Sequence, residues 1–270
     1  MSPSHKPLYI DENEKPLDRL VTDGGLFGIF RTVACIGDSL ASGDFEAVDR
    51  GCRYYIDMFD YSWGQYIART AGCTVYNFSR GGMTANEYCG GFASSMGYWN
   101  TEKAAQAYII ALGANDFFEK DQLPAGDISD VCDDYRQNKN TFVGKYAEII
   151  QRYKELSPDA VFFLMTMPKE DTEETAERLR LHHDLIHKLA ARFSNCYVLD
   201  LYEYMPVQDA DFKRKFYLEG HLNPMGYMLI ARVVTSYVDY LIRRDPDSFR
   251  RAAFINTEYS DSKLKQKKGE

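Results

Sequence analysis

Four short polar blocks carry residue types that can do chemistry: Gly37-Asp38-Ser39-Leu40, Asn77 to Thr84, Gly113-Ala114-Asn115-Asp116 and Gly220-His221-Leu222-Asn223-Pro224. A serine beside a sharp glycine turn presents a free hydroxyl, which becomes a nucleophile once a base takes its proton. His221 has the side chain best suited to be that base near neutral pH. Around such a pair, the Asn115 amide and a backbone N–H bared by the Gly81-Gly82 pair can hold negative charge developing on an acyl oxygen. Each block alone has an ordinary structural explanation. Ser39 can be a turn residue or a helix cap, the glycine pair a tight turn, Asn115 a cap, and His221 a loop histidine near a helix start. It is the ordered set that argues for chemistry.

The elements that must position these blocks are legible as apolar runs. Five of them, Thr32 to Ile36, Thr74 to Phe78, Ala107 to Leu112, Ala160 to Met165 and Tyr197 to Leu201, read as buried parallel strands. Helical patterns fill the gaps. Phe142, Tyr146, Ile149, Tyr153 and Leu156 form one stripe, and Ala176, Leu179, His183, Ile186, Ala190 and Phe193 form another. Asn223-Pro224, a cap followed by a first-turn proline, opens the last helix through Ile230, Val233, Tyr237 and Leu241. Strand and helix alternating to the end predict a three-layer α/β/α sandwich, flavodoxin-like, with a doubly wound five-stranded parallel sheet. Ligands of such sheets bind outside the carboxyl ends of the strands, where three of the four blocks fall. No G-x-S-x-G elbow occurs, which argues against an α/β-hydrolase fold.

The pattern reads as one domain over 32–256, preceded by an N-terminal extension, 1–31, and followed by a flexible charged tail, 257–270. A net charge of −8 leaves no basic face for nucleic acid and little attraction to anionic membranes. The six cysteines include no C-x-x-C pair, and neither a signal-type apolar core nor a membrane-length apolar run is present. A cytoplasmic protein is the expectation.

The ordered set resembles the SGNH, or GDSL-type, hydrolases: glycine-aspartate-serine-leucine after the first strand, a glycine after the second, G-x-N-D after the third and a histidine before the final helix. The resemblance runs from Ile36 to Tyr227. Carried over, it implies Ser39 as nucleophile, His221 as general base, and an oxyanion hole from the Ser39 amide, Gly82 (through Asn77 in N-x-x-x-x-G) and Asn115. Asp38 is assigned to organising the loop. One position departs from the pattern. Where the family usually carries an aspartate three residues before the histidine, this chain has Leu218, and Glu219 lies two residues before it. The orienting group is then Glu219, a backbone carbonyl (slightly preferred) or an acid from elsewhere such as Asp200.

His183 and His187, four apart on a helix, and their neighbour His182 invite a metal reading. No third ligand is evident, the H-E-x-x-H glutamate is missing, and a hydrogen-bonded His183 facing the core is preferred, so no metal is expected. Aromatic residues at Phe45, Tyr54, Tyr55, Phe59, Tyr61 and Trp63, and again at Tyr88, Phe92, Tyr98 and Trp99, either wall the pocket or pack loops. Asp44, Glu46, Asp49, Asp57 and Asp60 read as a solvated face. The expected activity is hydrolysis of a small acyl ester, for instance acetyl on a carbohydrate, without cofactor and with a small-molecule ester as the partner. Lipid or thioester hydrolysis, acyl transfer through the same site and a catalytically silent binding module are the alternatives.

Overall fold

The computed structural model describes residues 11–118 and 123–268. The first ten residues of the N-terminal extension and the last two of the tail lie outside them. The chain enters the sheet at β1 (Thr32–Gly37), makes the hairpin β2 (Asp44–Asp49) and β3 (Cys52–Asp57), and returns through β4 (Thr74–Asn77). Then β5 (Ala107–Ala111), β6 (Val161–Met165) and β7 (Cys196–Leu199) complete a five-stranded sheet ordered β4-β1-β5-β6-β7, every pair parallel. Counting only its own strands, that order is 2-1-3-4-5, the expected flavodoxin-like arrangement.

The strands are apolar on both faces because both faces are covered. Alternate residues point opposite ways: Val33 and Cys35 join one core with Trp63, Ile67, Val234 and Tyr237, while Ala34 and Ile36 join the other with Phe142, Tyr146 and Ile186. The first core lies under α2 (Trp63–Ala71) and α5 (Pro224–Arg244), the second under α3 (Phe142–Leu156) and α4 (Glu173–Arg192). These numbers are preceded by α1 (Ser39–Ser42), a single turn at the end of β1. Asn223 caps α5 by accepting from the Gly226 N–H, with Pro224 in the first turn, as its sequence signal required.

Strand positions agree with the sequence reading to within one or two residues. The inward stripe of α4 differs: Leu179, His182, Ile186 and Leu189 are buried, and His183 stands beside the stripe, partly exposed. The hairpin β2–β3 was not legible as such. Its two-residue turn, Arg50-Gly51, has φ values of 49° and 79°, the left-handed pair that matches the twist of a tight hairpin. A second small ribbon joins β8 (Tyr217–Leu218) to β9 (His221–Leu222).

Residues before β1 lie along α5. Glu14 pairs with Arg243 at 2.6 Å, the Leu26 N–H donates to Asp239, and Phe27 and Phe30 are fully buried. Near the other end, Asp261–Lys268 is helical, and the Ser262 hydroxyl donates to Asp159 at 2.6 Å. No described helix is long and apolar enough to cross a membrane.

Candidate active site

Ser39 is the first residue of α1, reached by a sharp turn at the carboxyl end of β1, and is half-buried. Asp38 caps the turn: its buried carboxylate accepts from the Leu40 N–H at 3.0 Å. Burial pushes the Asp38 carboxyl up to about 6, against that hydrogen bond and the field of His221. Asp38 is thereby committed to the loop. The Ser39 amide, in the first turn of a helix, has no helical carbonyl in reach and remains a donor for something else.

His221 opens β9. Its Nδ1 lies 3.2 Å from Oε2 of Glu46, and the same oxygen accepts from the Gly220 N–H at 2.8 Å. The Glu46 carboxylate is buried. Burial raises its proton affinity, but the His221 and Gly220 hydrogen bonds and Arg53 prevail, holding it below the usual glutamate range. Arg53 Nη1 stands 2.8 Å from Oε1, an ion pair outside hydrogen-bond alignment. An ionised carboxylate can only accept, so Nδ1 of His221 carries the hydrogen and a neutral ring keeps its lone pair on Nε2. That is the tautomer a general base needs. A side chain at residue 220 would meet Glu46 Oε2 at 2.6 Å, which explains the glycine before His221.

The register of the hairpin makes this possible. Glu46 and Tyr55 are directly opposite one another on β2 and β3 and share a face. Glu46 reaches the imidazole along that face, and Tyr55 meets the same ring edge-on with centroids 5.5 Å apart. The Tyr227 hydroxyl, from the first turns of α5, ties the Ser39 turn to the hairpin: it donates to the Asp44 carbonyl at 2.7 Å and lies 3.4 Å from that of Ser39. The charge of His221 is felt by both Asp38 and Asp44. The Ser39 turn and the strand β9 that carries His221 also pack against one another.

Gly82 is exposed, with φ +72°, in the loop after β4. Asn115 follows β5 and donates from Nδ2 to the carbonyl of Met83 at 3.2 Å, so the two oxyanion candidates come from loops tied together. Asp116 adds a second tie by accepting from the Ala85 N–H at 3.0 Å. Its other oxygen is buried without a partner, and burial, assisted by the charge of Asp38, pushes the carboxyl up to about 7. The β4 loop is fixed to β1 in turn, the Ser79 hydroxyl donating to the Cys35 carbonyl at 2.9 Å. Behind Asn115, fully buried His182 donates from Nε2 to the Leu112 carbonyl at 3.0 Å and accepts the Met167 N–H at Nδ1, 3.4 Å away. Burial pushes it down to about 4, which makes it a neutral strut at the end of β5.

A cavity of about 170 Å³ opens beside these loops, walled by Leu40, Trp63, Leu112, Met165, Leu222 and Ile230 among others. Ser39, Asn115 and His221 do not line it themselves, but Asp38 and Leu40, Ala114, and Leu222 do. It is therefore an apolar recess next to the polar cluster.

Residues 35–229 match the model of the GDSL-like lipase/acylhydrolase family. The chain belongs to that family. Membership supports esterase or acylhydrolase function, and the flavodoxin-like sheet is shared with solved relatives. A family two carbohydrate esterase from Clostridium thermocellum, solved in complex with cellohexaose, superposes with TM-score 0.58 at 16% identity, over 81% of this chain and 65% of that one. A carbohydrate esterase family 2 enzyme plus carbohydrate binding domain from Corynascus thermopiles (Myceliophthora fergusii) gives 0.55 at 16%, over 78% and 66%. The C. thermocellum family 3 carbohydrate esterase gives 0.52 at 16%, over 79% and 97%. This chain spans about two thirds of the first two. No curated protein matches the chain in sequence.

For a GDSL-like family member, the group facing His221 Nδ1 is unexpected. Glu219 is exposed, with φ +51°, and its charge falls on Arg53. Asp200 faces His183 and His187 instead. The carboxylate on His221 is Glu46, which the sequence reading had placed on a solvated face with Asp44; both are buried. In the folded hairpin the period of two puts Glu46 on the face of Tyr55. The aromatic residues divide. Trp63 walls the cavity and Tyr55 touches His221, whereas Tyr88, Tyr98 and Trp99 pack in the core beneath α3, with the Tyr88 and Tyr153 hydroxyls 2.6 Å apart.

Proposed function

We propose that the chain is a serine esterase that hydrolyses a small acyl ester, an acetyl group on a carbohydrate being the preferred substrate. The observation that carries this is the Glu46–His221 hydrogen bond at Nδ1, which leaves the Nε2 lone pair of a neutral His221 free to act as a base. In the proposed sequence, the Ser39 hydroxyl attacks the ester carbonyl as His221 Nε2 takes its proton, and Glu46 balances the imidazolium. The amides of Ser39 and Gly82 and the Asn115 side chain hold the oxyanion. His221 returns the proton to the leaving alcohol, and water, deprotonated by the same ring, cleaves the acyl-enzyme. The chemistry calls for no cofactor, and the catalytic unit is taken as 32–256.

The size of the acyl group is argued from the recess. A dry apolar cavity of roughly 150 Å³ holds a benzene-sized molecule, so about 170 Å³ suits an acyl chain of up to about six carbons. Exposed Tyr55, on the hairpin face that carries Glu46 and against His221, offers a ring on which a sugar leaving group can stack. The test is turnover of a nitrophenyl ester series from acetyl to decanoyl by wild type, Ser39→Ala and His221→Ala. The proposal expects acetyl to hexanoyl esters to react best and both variants to lose turnover. Undiminished activity in Ser39→Ala would end it.

A further inference from the structure

Away from the ester site, His183, His187 and Asp200 meet where α4 passes the end of β7. Four residues apart, the two histidines leave the same face of the helix, with ring centroids 4.5 Å apart. Oδ2 of Asp200 lies 3.2 Å from Nε2 of His183 and 3.0 Å from Nε2 of His187. Asp200 is buried and already anchored through its other oxygen, which accepts from the Thr166 hydroxyl and the Glu203 N–H. The carboxylate is thus held with Oδ2 presented to both rings.

Counting hydrogens exposes a gap. A neutral imidazole has one N–H, yet His183 has a carboxylate oxygen at each nitrogen: Asp184 Oδ1 is 2.8 Å from Nδ1, and Asp200 Oδ2 is at Nε2. In a neutral ring one of the two contacts then lacks a hydrogen, whereas an imidazolium would fill both. With the hydrogen on Nδ1, Asp184 orients the ring and the Nε2 lone pair points at the space shared with His187 and Asp200. This carboxylate–imidazole relay is the usual support of a metal-ligating histidine. The three donor atoms lie within 4.8 Å of one another. Their 3.0 and 3.2 Å separations approach the edge of about 3.3 Å of a tetrahedron with bonds of about 2.0–2.1 Å.

We propose that His183, His187 and Asp200 bind one divalent transition cation, zinc by preference, with Asp184 as the outer carboxylate. Two imidazole nitrogens and one carboxylate suit zinc rather than calcium or magnesium, which favour oxygen. Half-exposed His187 leaves room for a water as the fourth ligand. The cation would clamp α4 to the end of β7, one residue from Leu201 in the wall of the apolar recess. The sequence reading expected no metal because no third ligand was evident; Asp200, from outside the helix, offers that third donor. It stands independently of the esterase proposal.

The experiment titrates chelator-treated full-length protein with Zn²⁺ by calorimetry and with Co²⁺ by visible absorption. The expected result is one equivalent of tight binding and cobalt bands without thiolate charge transfer, which separates this site from the cysteines. His187→Ala, and His187→Gln as a variant of closer size, weaken binding at least tenfold, and Asp184→Asn weakens it about 10–100-fold. Absence of stoichiometric binding, thiolate bands, or unchanged affinity in folded His187 variants would overturn the site.

Discussion

Glu46 Oε2 stands 3.2 Å from Nδ1 of His221 across 175 residues of chain, and the same oxygen holds the Gly220 N–H. A hairpin inserted between the Ser39 turn and the second strand of the sheet thereby delivers a carboxylate to the histidine. If this contact sets the tautomer, Glu46→Gln lowers kcat on nitrophenyl acetate by about 10²–10⁴, the upper figure being the loss known for an equivalent change in a serine protease. Glu219→Gln, altering an exposed side chain, stays within about twofold of wild type. Equal losses in the two variants would return the role to the loop before His221.

In the proposed mechanism Asn115 offers one oxyanion donor, and its amide also donates to the Met83 carbonyl. Replacing it by alanine is expected to cost about 10²–10³ in kcat, roughly 2.7–4 kcal/mol of transition-state stabilisation, with KM little changed. Steady-state kinetics on the preferred ester checks this. A rise in KM alone would make Asn115 a binding residue.

Gly113 has φ +144°, and a Cβ there would sit 2.4 Å from Nε2 of buried His182. Gly113→Ala combines backbone strain with overpacking, a cost of about 3–5 kcal/mol. That lowers Tm by roughly 10 °C in a chain of this size. Differential scanning calorimetry reads it directly.

Two buried groups give stability opposite dependences on pH. His182, pushed down to about 4 in the folded state, contributes stability that is complete above about 6.5, its unfolded value, and is lost as pH falls toward 4. Asp116, pushed up to about 7, works the other way: the unfolded state sheds its proton first, and stability declines as pH rises from about 4 to 7. Urea midpoints across that range should therefore rise more steeply with pH in Asp116→Asn than in wild type. In His182→Gln the acid loss should be relieved. Parallel curves for all three proteins would contradict both assignments.

The five strands and the long helices were legible because the central strands are buried on both faces and each long helix on one, so burial writes the pattern directly into residue type. The positions of Ser39, Asn115 and His221 were legible because each follows a strand or lies just before a helix. Glu46 was not. In a hairpin half exposed to solvent, Val48, Tyr54 and Ile56 face water while Glu46 is buried, inverting the usual relation of polarity to burial. Asp200 illustrates the same limit: a residue that follows a strand and faces two histidines on a helix is defined by tertiary contact rather than by local spacing.

The central claim is that the Ser39 hydroxyl is made nucleophilic by His221 under the control of Glu46. Labelling of the folded protein with a fluorophosphonate, the adduct located by peptide mass spectrometry, tests it most directly. The account predicts a single adduct on Ser39, formed much more slowly in Glu46→Gln and not at all in His221→Ala. An adduct on another serine, or equal labelling of Ser39 in all three proteins, would contradict it.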